Sequence, residues 1–356
     1  MNEPWRPVHA CGADGHNVLA TIVVPSFEAR PTLTRALRSA LAQTVSDFEI
    51  IVIDDASTDG SWGLIKSLAS GDARIRPIRN ATNRGKSYGM NRAIAAARGC
   101  WLAVLDADDW YRPERLAALI DTAERWGVDM VADNQFPFDA VAVQVAGTAW
   151  APSVGEWALS FEAYLEGSNA FESFNLGMLK PVIRTDFLKA KRLGYNERAR
   201  DGHDFLHLLE FFIAGGRAVV NDSPFYYYTQ PFGEVSHRWS NASRKRYDFR
   251  TFQAISDRVA DAAADRLTPL QASSLHRRNA ELLILEHYHQ LKEDLAKRNY
   301  SKAFHRIADH PKVLAFGASR VGRRLFKRGG SSSVERIAER SRGAEAPSLA
   351  RRNVSS

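Results

Sequence analysis

Three clusters of polar residues each follow directly after a short apolar run of the chain. They are Pro25–Glu28 (PSFE), Asp54–Asp55 (DD) and Asp106–Asp109 (DADD). Carboxylates that share a small space repel one another unless a cation neutralises them. Their oxygen atoms suit hard divalent cations such as Mg²⁺ and Mn²⁺, which also bind phosphate oxygens. If the clusters meet in one crevice, their chemistry is that of a metal-bound diphosphate.

Each cluster alone has a simpler explanation, because Asp is common in loops for its turn conformations. Within the third cluster, Asp109 fits a residue that leads into the next helix. Three clusters in order, each after an apolar run, favour a shared site over three unrelated turns.

The elements that must hold these clusters alternate between strand and helix patterns. Short apolar runs predict strands at 19–25, 48–54, 75–79, 101–105 and 128–132, and 3.6-residue periodicity predicts helices at 31–43, after residue 59, at 86–98 and at 113–126. This alternation predicts an α/β fold with a mostly parallel sheet flanked by helices. Ligands of such sheets gather beyond the carboxyl ends of the strands, where all three clusters fall.

The pattern loosens after residue 133. Helices are predicted at 205–214, 244–265 and 269–298, and a strand within 217–228, so the C-terminal region is expected to be helical. We therefore divide the chain as follows: a leader at 1–16, a main domain at 17–240 (halves 17–133 and 134–240), a helical region at 241–326 and a basic disordered tail at 327–356. The glycines near 317–322 imitate a dinucleotide-binding loop, but Ser319 interrupts the spacing and we reject it.

The formal net charge of +7 is unevenly distributed. From Ser301 onward there are thirteen Lys/Arg against four Asp/Glu, and the preceding part is slightly acidic. We therefore expect no nucleic-acid binding, which needs basic residues on the folded surface. The two cysteines form no disulfide framework and favour a reducing compartment. Without a signal-peptide pattern or an apolar run of about 18 residues, we expect a cytoplasmic protein. Its basic end is either a solvated tail or a contact for anionic lipid headgroups at the inner face of the membrane.

Two segments carry a family resemblance. TIVVPSFEARPTLTRALRSALAQTVSDFEIIVIDDASTDGS (21–61) and NRGKSYGMNRAIAAARGCWLAVLDADDWYRPERL (83–116) resemble the donor half of the family-two inverting glycosyltransferases, which have the GT-A fold. The likeness covers about residues 20–125 closely, with four motifs in order, and continues more weakly to about 240. It implies a nucleotide-sugar donor, usually a UDP-sugar, and a divalent metal, Mn²⁺ or Mg²⁺.

The resemblance also implies roles for individual residues of the donor half. Asp55 would accept hydrogen bonds from the base, Asp106 would contact the ribose or donor sugar, and Asp108 would coordinate the metal. The remaining nucleotide-sugar contacts would come from Pro25, Ser26, Glu28, Asn83, Gly85, Lys86 and Ala107.

The resemblance leaves the catalytic base open. Related enzymes carry a carboxylate just before an aromatic-rich helix, and a gapless alignment puts Gly202 there. A shift of one residue selects Asp201, which we favour because a residue just before a helix faces the cleft readily; Asp204 is the alternative. His203 fits more simply as a surface histidine. The segment 177–184 would border the acceptor site.

A flexible loop closes over the diphosphate in related enzymes, and its counterpart here contains Ser236-His237-Arg238. Arg238 would bind phosphate through its forked donors. His237 would be a further metal ligand.

The resulting hypothesis is an inverting transfer of a hexose, glucose by preference, from a UDP-sugar to a saccharide acceptor. The acceptor would be a growing bacterial polysaccharide, free or lipid-linked, as in exopolysaccharide assembly of the succinoglycan type. Two alternatives remain: a non-catalytic nucleotide-sugar-binding partner of an assembly complex, and a sugar-phosphate nucleotidyltransferase. The second is disfavoured, because those enzymes carry a Gly-rich loop after the first strand and this chain has Pro25–Glu28 there.

Overall fold

A computed structural model describes residues 18–151, 155–168, 175–199, 202–230, 249–325 and 333–345. Ten strands form its central sheet. They are β1 (Ala20–Ser26), β2 (Phe48–Asp54), β3 (Ile75–Arg79), β4 (Trp101–Val104), β5 (Trp110–Tyr111), β6 (Met130–Asp139), β7 (Gln144–Val145), β8 (Glu156–Ala158), β9 (Val182–Arg184) and β10 (Ala218–Gln230).

Helices cover the sheet and extend beyond it at the C-terminal end. Those described are α1 (Arg30–Leu41), α2 (Ser61–Gly71), α3 (Lys86–Ala96), α4 (Arg115–Trp126), α5 (Phe161–Gly167), α6 (Thr185–Ala190), α7 (His203–Ile213), α8 (Phe249–Ala262), α9 (Pro269–Ala296), α10 (Tyr300–Asp309), α11 (Lys312–Leu325) and α12 (Ser333–Glu345). The predicted mostly parallel α/β sheet and helical C-terminal region are confirmed.

The sheet order is β3-β2-β1-β4-β9-β6-β10-β5. Strands β1 to β4 are mutually parallel, and Ser26 at the end of β1 lies opposite Asp54 at the end of β2. Strand β9 runs antiparallel between β4 and β6, and β6 is parallel to β10. The three polar clusters therefore emerge at one sheet edge, as the sequence predicted.

Apolar residues from both sheet faces explain why these segments fold as they do. In β1, Ile22, Val23 and Val24 are fully buried, as expected for a strand covered on both sides. Gly99 lies where the chain enters β4, and a Cβ there would meet the Ala20 backbone carbonyl carbon at 2.3 Å. Only glycine permits this close approach of α3's end to β1.

The C-terminal tail differs from the prediction, whereas the region before it is helical as expected. Within the region predicted to be helical, residues 300–325 form α10 and α11, and the rejected dinucleotide-like sequence lies within α11. The prediction of disorder over 327–356 is wrong for Ser333–Glu345, because Val334, Ile337 and Ala338 are buried. Their i, i+3, i+4 spacing makes one apolar face, which packs near α5 and β8. The rest of that tail lies outside the described residues.

Three other expectations concerned the cysteines, membrane-spanning helices and the ends of the main domain. Cys100 is disulfide-bonded, whereas the sequence favoured reduced cysteines. Within the described ranges, no helix has the length and apolar character needed to span a membrane. The leader at 1–16 and the boundary near 240 lie outside the described residues.

Candidate active site

One cleft of about 630 Å³ opens at the carboxyl edge of the parallel strands. It extends from the strand ends to helices α7, α8 and α9. Most residues that the sequence analysis assigned to nucleotide-sugar, metal or base roles line it. They are Pro25, Ser26, Asp55, Asn83, Gly85, Lys86, Asp106, Ala107, Asp108 and Asp204.

Two lysines and two aspartates form a compact group in this cleft, which we call the ion quartet: Lys86, Asp106, Lys180 and Asp204. Lys180 Nζ lies 2.8 Å from Asp106 Oδ2 and 2.8 Å from Asp204 Oδ2. Lys86 Nζ lies 2.7 Å from Asp106 Oδ1 and 3.6 Å from Asp204 Oδ2. Alternating charges let four partly buried ionised groups share one place.

The charges of the quartet determine its protonation. Burial opposes ionisation of Asp204, but Lys180 and Lys86 outweigh it and hold its pKa well below the usual value. Asp106 has a lowered pKa for the same reason: the two lysines outweigh burial. Burial likewise opposes the charge of Lys180, and the two carboxylates raise its pKa well above the usual value. Both aspartates are therefore ionised at neutral pH.

A buried ion pair positions Lys180. Arg115 at the start of α4 and Asp133 in β6 are both buried, and Arg115 Nη2 lies 2.7 Å from Asp133 Oδ1. The same Nη2 also donates to the backbone carbonyl of Lys180. Because both partners are held in low-dielectric surroundings, this bidentate pair has little freedom to move. The backbone of Lys180 is thus fixed from behind the cleft.

In the Asp106–Asp109 cluster, Asp109 has a different role from the one predicted. Asp109 is buried, accepts hydrogen bonds from Tyr226 Oη (2.6 Å) and Thr229 N (2.8 Å), and precedes β5. It ties the cluster to β10, so the prediction of a helix-entry residue is wrong. Thr229 Oγ1 and Arg35 Nη2 donate to the Asp108 carbonyl at 2.6 and 2.5 Å. The backbone of the cluster is therefore held in place.

Asp108 is the residue that best fits a metal. Burial, and then the charge of Asp106, raises its pKa above the usual value. Such a carboxylate gains when a cation binds beside it. The described residues contain no group of three His, Cys, Asp or Glu side chains arranged to hold a metal. This donor set suits a cation that takes most of its ligands from a bound diphosphate.

The nucleotide end of the cleft is shaped by hydrogen bonds among the predicted residues. Asp55 accepts from Asn80 Nδ2 (2.7 Å), Arg84 N (3.0 Å) and Gly85 N (2.7 Å), so it fixes the loop before α3. Ser26 Oγ is buried without a hydrogen-bond partner among the described residues. An unpaired hydroxyl at a cleft wall fits contact with a polar ligand.

Glu28 does not line the cleft, although the sequence analysis placed it around the nucleotide. Its Oε1 accepts hydrogen bonds from Thr58 N (2.7 Å) and Thr58 Oγ1 (3.0 Å). Both Glu28 (φ 48°) and Ala56 (φ 64°) adopt left-handed backbone conformations. Such conformations cost about 1–3 kcal/mol at non-glycine residues and often accompany functional loops. Here they turn the chain sharply after β1 and β2.

The start of α7 brings Asp204 into the cleft. Gly202 is its N-cap, with φ 68°, and His203 and Asp204 occupy the first turn. His203 is not the surface residue expected: it lines the cleft, and burial lowers its pKa. Asp201, His237 and Arg238 lie outside the described residues, so their predicted roles stay predictions.

Sequence reasoning missed two cations of the cleft. Lys180 lay in a segment assigned to the acceptor border, but no role was given to its side chain. No role was predicted for Arg278 in α9, although it lines the cleft. Its signal is weak, because arginine is common on helix surfaces and only the tertiary packing buries this one.

Comparison with known proteins shows the family to which this chain belongs. The glycosyl transferase family 2 profile matches residues 21–159. The succinoglycan biosynthesis protein ExoU of Rhizobium meliloti is 30% identical over 302 residues, which cover 82% of this chain and 84% of ExoU. ExoO of the same organism is 34% identical over 219 residues, 61% of this chain and 62% of ExoO's own length. The chain belongs to glycosyl transferase family 2 and is a glycosyltransferase.

Solved structures support the fold. The Staphylococcus aureus protein TarS 1–349 in complex with UDP-GlcNAc superposes with a TM-score of 0.60 at 17% identity, covering 92% of each chain. The mannosyltransferase PcManGT from Pyrobaculum calidifontis, in complex with GDP-Man and Mn²⁺, gives 0.53 at 18% identity and the same coverage. At this identity the likeness concerns the fold alone, and it confirms the GT-A architecture predicted from sequence.

Proposed function

We propose that this glycosyltransferase moves a hexose, glucose by preference, from a UDP-sugar to a saccharide acceptor with inversion at the anomeric carbon. The observation that carries the proposal is the ion quartet, in which a donor-side carboxylate (Asp106) and an acceptor-side carboxylate (Asp204) share Lys180. An assembly role in a bacterial exopolysaccharide is supported by the similarity to ExoU and ExoO.

The donor end of the cleft suits a nucleoside diphosphate sugar. Asp55 and the loop it fixes, together with Pro25 and Ser26, would surround the nucleoside. Lys86 at the start of α3 would attract the diphosphate, since it is only partly buried and can leave its carboxylate partners. The UDP-GlcNAc in the structural neighbour TarS supports a uridine nucleotide as the donor carrier.

A divalent cation, Mn²⁺ or Mg²⁺, would be held by Asp108 and the donor phosphates. It would act as a Lewis acid that offsets the charge developing on the leaving diphosphate. Support comes from the raised pKa of Asp108 and from the Mn²⁺ in the complex of PcManGT. His237 and Arg238 remain candidates for a second metal ligand and a phosphate contact.

Asp204 is our candidate for the catalytic base. In one step the acceptor hydroxyl oxygen forms a bond to the anomeric carbon, its proton passes to the carboxylate, and the bond to the diphosphate breaks. Asp204 is ionised and faces the cleft. The phosphates of the donor would compete for Lys86, which frees the carboxylate to accept a proton. Asp201 stays the alternative base.

The acceptor end of the cleft points away from the sheet towards α8 and α9, and its walls are largely apolar. We propose a lipid-linked saccharide as acceptor. A peripheral membrane contact fits the exposed Tyr300, Phe304 and Leu314 on α10 and α11, which lie among Lys302 and Lys312. Aromatic and basic side chains together favour an anionic bilayer surface. Of the basic residues from 320 onward, the structure describes the side chains of Arg336 and Arg340, and Arg340 pairs with Glu166 at 2.7 Å.

A donor panel tests the proposal. Nucleotide release should be greatest with one UDP-hexose, require Mn²⁺ or Mg²⁺, and fall at least about 100-fold in Asp108→Ala, because one oxygen ligand is lost. Equal release from all donors without metal, unaffected by that substitution, would refute the assignment. Family membership leaves the nucleotidyltransferase alternative without support. Donor binding without turnover under every condition would favour the non-catalytic alternative.

A further inference from the structure

The acceptor end of the cleft contains a buried cation that the ion quartet does not use. Arg278 lies in the middle of α9 and lines the cleft, with only 6% of its surface exposed. Four apolar side chains from α8 and α9 line the same end of the cleft: Phe249, Phe252, Leu282 and Leu285. An arginine among apolar walls needs a physical reason, since burying a charge is costly.

The contacts of Arg278 do not neutralise its charge. Its Nε donates to the Ser168 carbonyl at 3.3 Å and its Nη1 to Asn279 Oδ1 at 3.4 Å, both long for hydrogen bonds. Its Nη2 donates to no described residue. No carboxylate of the described residues forms an ion pair with it.

The guanidinium of Arg278 contacts aromatic rings. The guanidinium carbon lies 3.3 Å from the ring centroid of Phe205 and 5.3 Å from that of Phe252. Cation–π contacts offset only part of the cost of burying the ion. Burial accordingly lowers the pKa of Arg278 to about 10, although Tyr164 and Glu281 oppose this. The guanidinium remains charged; Glu281 acts on it from a distance, but no described carboxylate lies within 4.0 Å of it.

Arg278 contacts the residue that follows the proposed base, Asp204. Phe205, on which the guanidinium stacks, is the residue after Asp204 in the first turn of α7. Arg278 itself lies on α9, at the end of the cleft that we assign to the acceptor, away from the strand ends that we assign to the donor. A ligand that spans this end must present apolar surface to α8 and α9 and an anion to Arg278.

We propose that Arg278 is a binding residue for the acceptor, and that it pairs with a phosphate group attached to an alkyl or isoprenyl chain. The chain would lie against Phe249, Phe252, Leu282 and Leu285, and the phosphate would supply the missing counter-ion. This inference rests on the proposed glycosyl transfer, because it assigns the acceptor's anionic group. A carboxylate on an acidic acceptor sugar is the other source of the same charge.

Binding of three probes tests the proposal, each measured by calorimetry with the full chain, Mg²⁺ and saturating UDP. The UDP keeps diphosphates out of the donor end. Farnesyl diphosphate carries chain and anion, farnesol only the chain, and glucuronate only a carboxylate. We expect farnesyl diphosphate to bind, and its Kd to rise at least about tenfold in Arg278→Met, since a charge-assisted hydrogen bond is lost. Farnesol should bind weakly and equally to both proteins.

Controls separate recognition from folding. Arg277→Gln, an exposed neighbour on α9, should leave all three affinities unchanged, and Arg278→Lys should lie between wild type and Arg278→Met. A structural role alone would lower the melting temperature and weaken UDP binding without discriminating between farnesyl diphosphate and farnesol. Failure of UDP to bind wild type would refute the proposed donor instead.

Two results would overturn the inference. Equal affinity of wild type and Arg278→Met for farnesyl diphosphate would show that Arg278 binds no anion. Loss of affinity for glucuronate in that variant, with no binding of farnesyl diphosphate, would assign the anion to a sugar carboxylate and refute the lipid phosphate.

Discussion

Lys180 Nζ lies 2.8 Å from Asp204 Oδ2, and this contact joins the two halves of the cleft. The same nitrogen lies 2.8 Å from Asp106 Oδ2, on the donor side. One lysine, 5% exposed, therefore neutralises two carboxylates to which we assign different substrates. Any ligand that draws Lys180 towards the donor phosphates leaves Asp204 with less positive charge nearby. We therefore expect donor binding and acceptor deprotonation to be coupled through this cation.

Replacing Asp204 with Asn should abolish most of the turnover. Asn keeps the shape and can still accept a hydrogen bond from Lys180, but it cannot take a proton from the acceptor. We expect kcat to fall about 10²–10⁴-fold, the usual contribution of a general base. UDP affinity should stay within about twofold, because the nucleotide end is untouched. Steady-state kinetics and calorimetry give the two values.

Glu210→Gln is the matched control for that substitution, since it removes a carboxylate further along α7 and outside the cleft. It should leave kcat unchanged. Full activity in Asp204→Asn would move the role of base to Asp201, which can be tested by the same substitution.

Replacing Lys180 with Met should lower the free energy of unfolding and shift the pH dependence of kcat/KM. Asp106 and Asp204 would then face each other with only Lys86 between them, and breaking a buried charge network costs about 3–5 kcal/mol. Removing the lysine also raises the pKa of Asp204 towards the usual carboxylate range. The acidic limb of kcat/KM should therefore move to higher pH than in wild type.

Lys191→Met removes an exposed lysine just after α6 and serves as the control. It should change neither the denaturation midpoint nor the pH profile. An unchanged acidic limb in Lys180→Met would show that the ionisation of Asp204 does not depend on Lys180.

The donor half of this site was predictable because it depends on local sequence. Three strand runs end in polar clusters: Pro25–Glu28, Asp54–Asp55 and Asp106–Asp109. Because these strands are parallel, the three clusters lie at one sheet edge. Lys180 was not predictable as their counter-ion, because it follows a 3₁₀ turn and reaches the cleft just before β9, which inserts antiparallel between β4 and β6. No local periodicity signals such an insertion.

The C-terminal part was harder for a different reason. Arg278 resembles a helix-surface residue until α9 packs across the cleft, and only then is it buried. Val334, Ile337 and Ala338 are three apolar residues in a segment rich in Arg and Ser. Composition outweighed their spacing in the prediction of disorder, although the spacing alone describes an amphipathic helix.

Gly202→Ala should destabilise the protein strongly. A Cβ at Gly202 would lie 2.3 Å from the ring of Phe252, and the residue has a positive φ of 68°. The left-handed conformation costs about 1–2 kcal/mol and overpacking about 1–3 kcal/mol more. We expect a loss of about 3 kcal/mol in chemical denaturation, the sum of the two costs.

Gly215 supplies the comparison, because it has φ 85° but no neighbouring heavy atom within 4 Å of the place that a Cβ would occupy. Gly215→Ala should therefore cost about 1 kcal/mol, the conformational cost alone. Equal losses for the two variants would mean that Phe252 yields to the methyl group without cost.

His207 should make folding stability depend on pH between about 4 and 6.5. It is buried in α7, stacks on Tyr195 with ring centroids 4.2 Å apart, and its Nδ1 lies 3.2 Å from the Gly194 carbonyl. Burial lowers its pKa to about 4 from the usual 6.5. In that window the unfolded chain binds a proton that the folded protein does not, so stability falls as the pH falls. The full effect is about 3 kcal/mol, and His207→Phe should remove it while keeping the stacking on Tyr195. Urea denaturation at pH 7 and pH 5 should therefore show a smaller difference in unfolding free energy for the variant; the same difference in both proteins would show that another group carries the pH dependence.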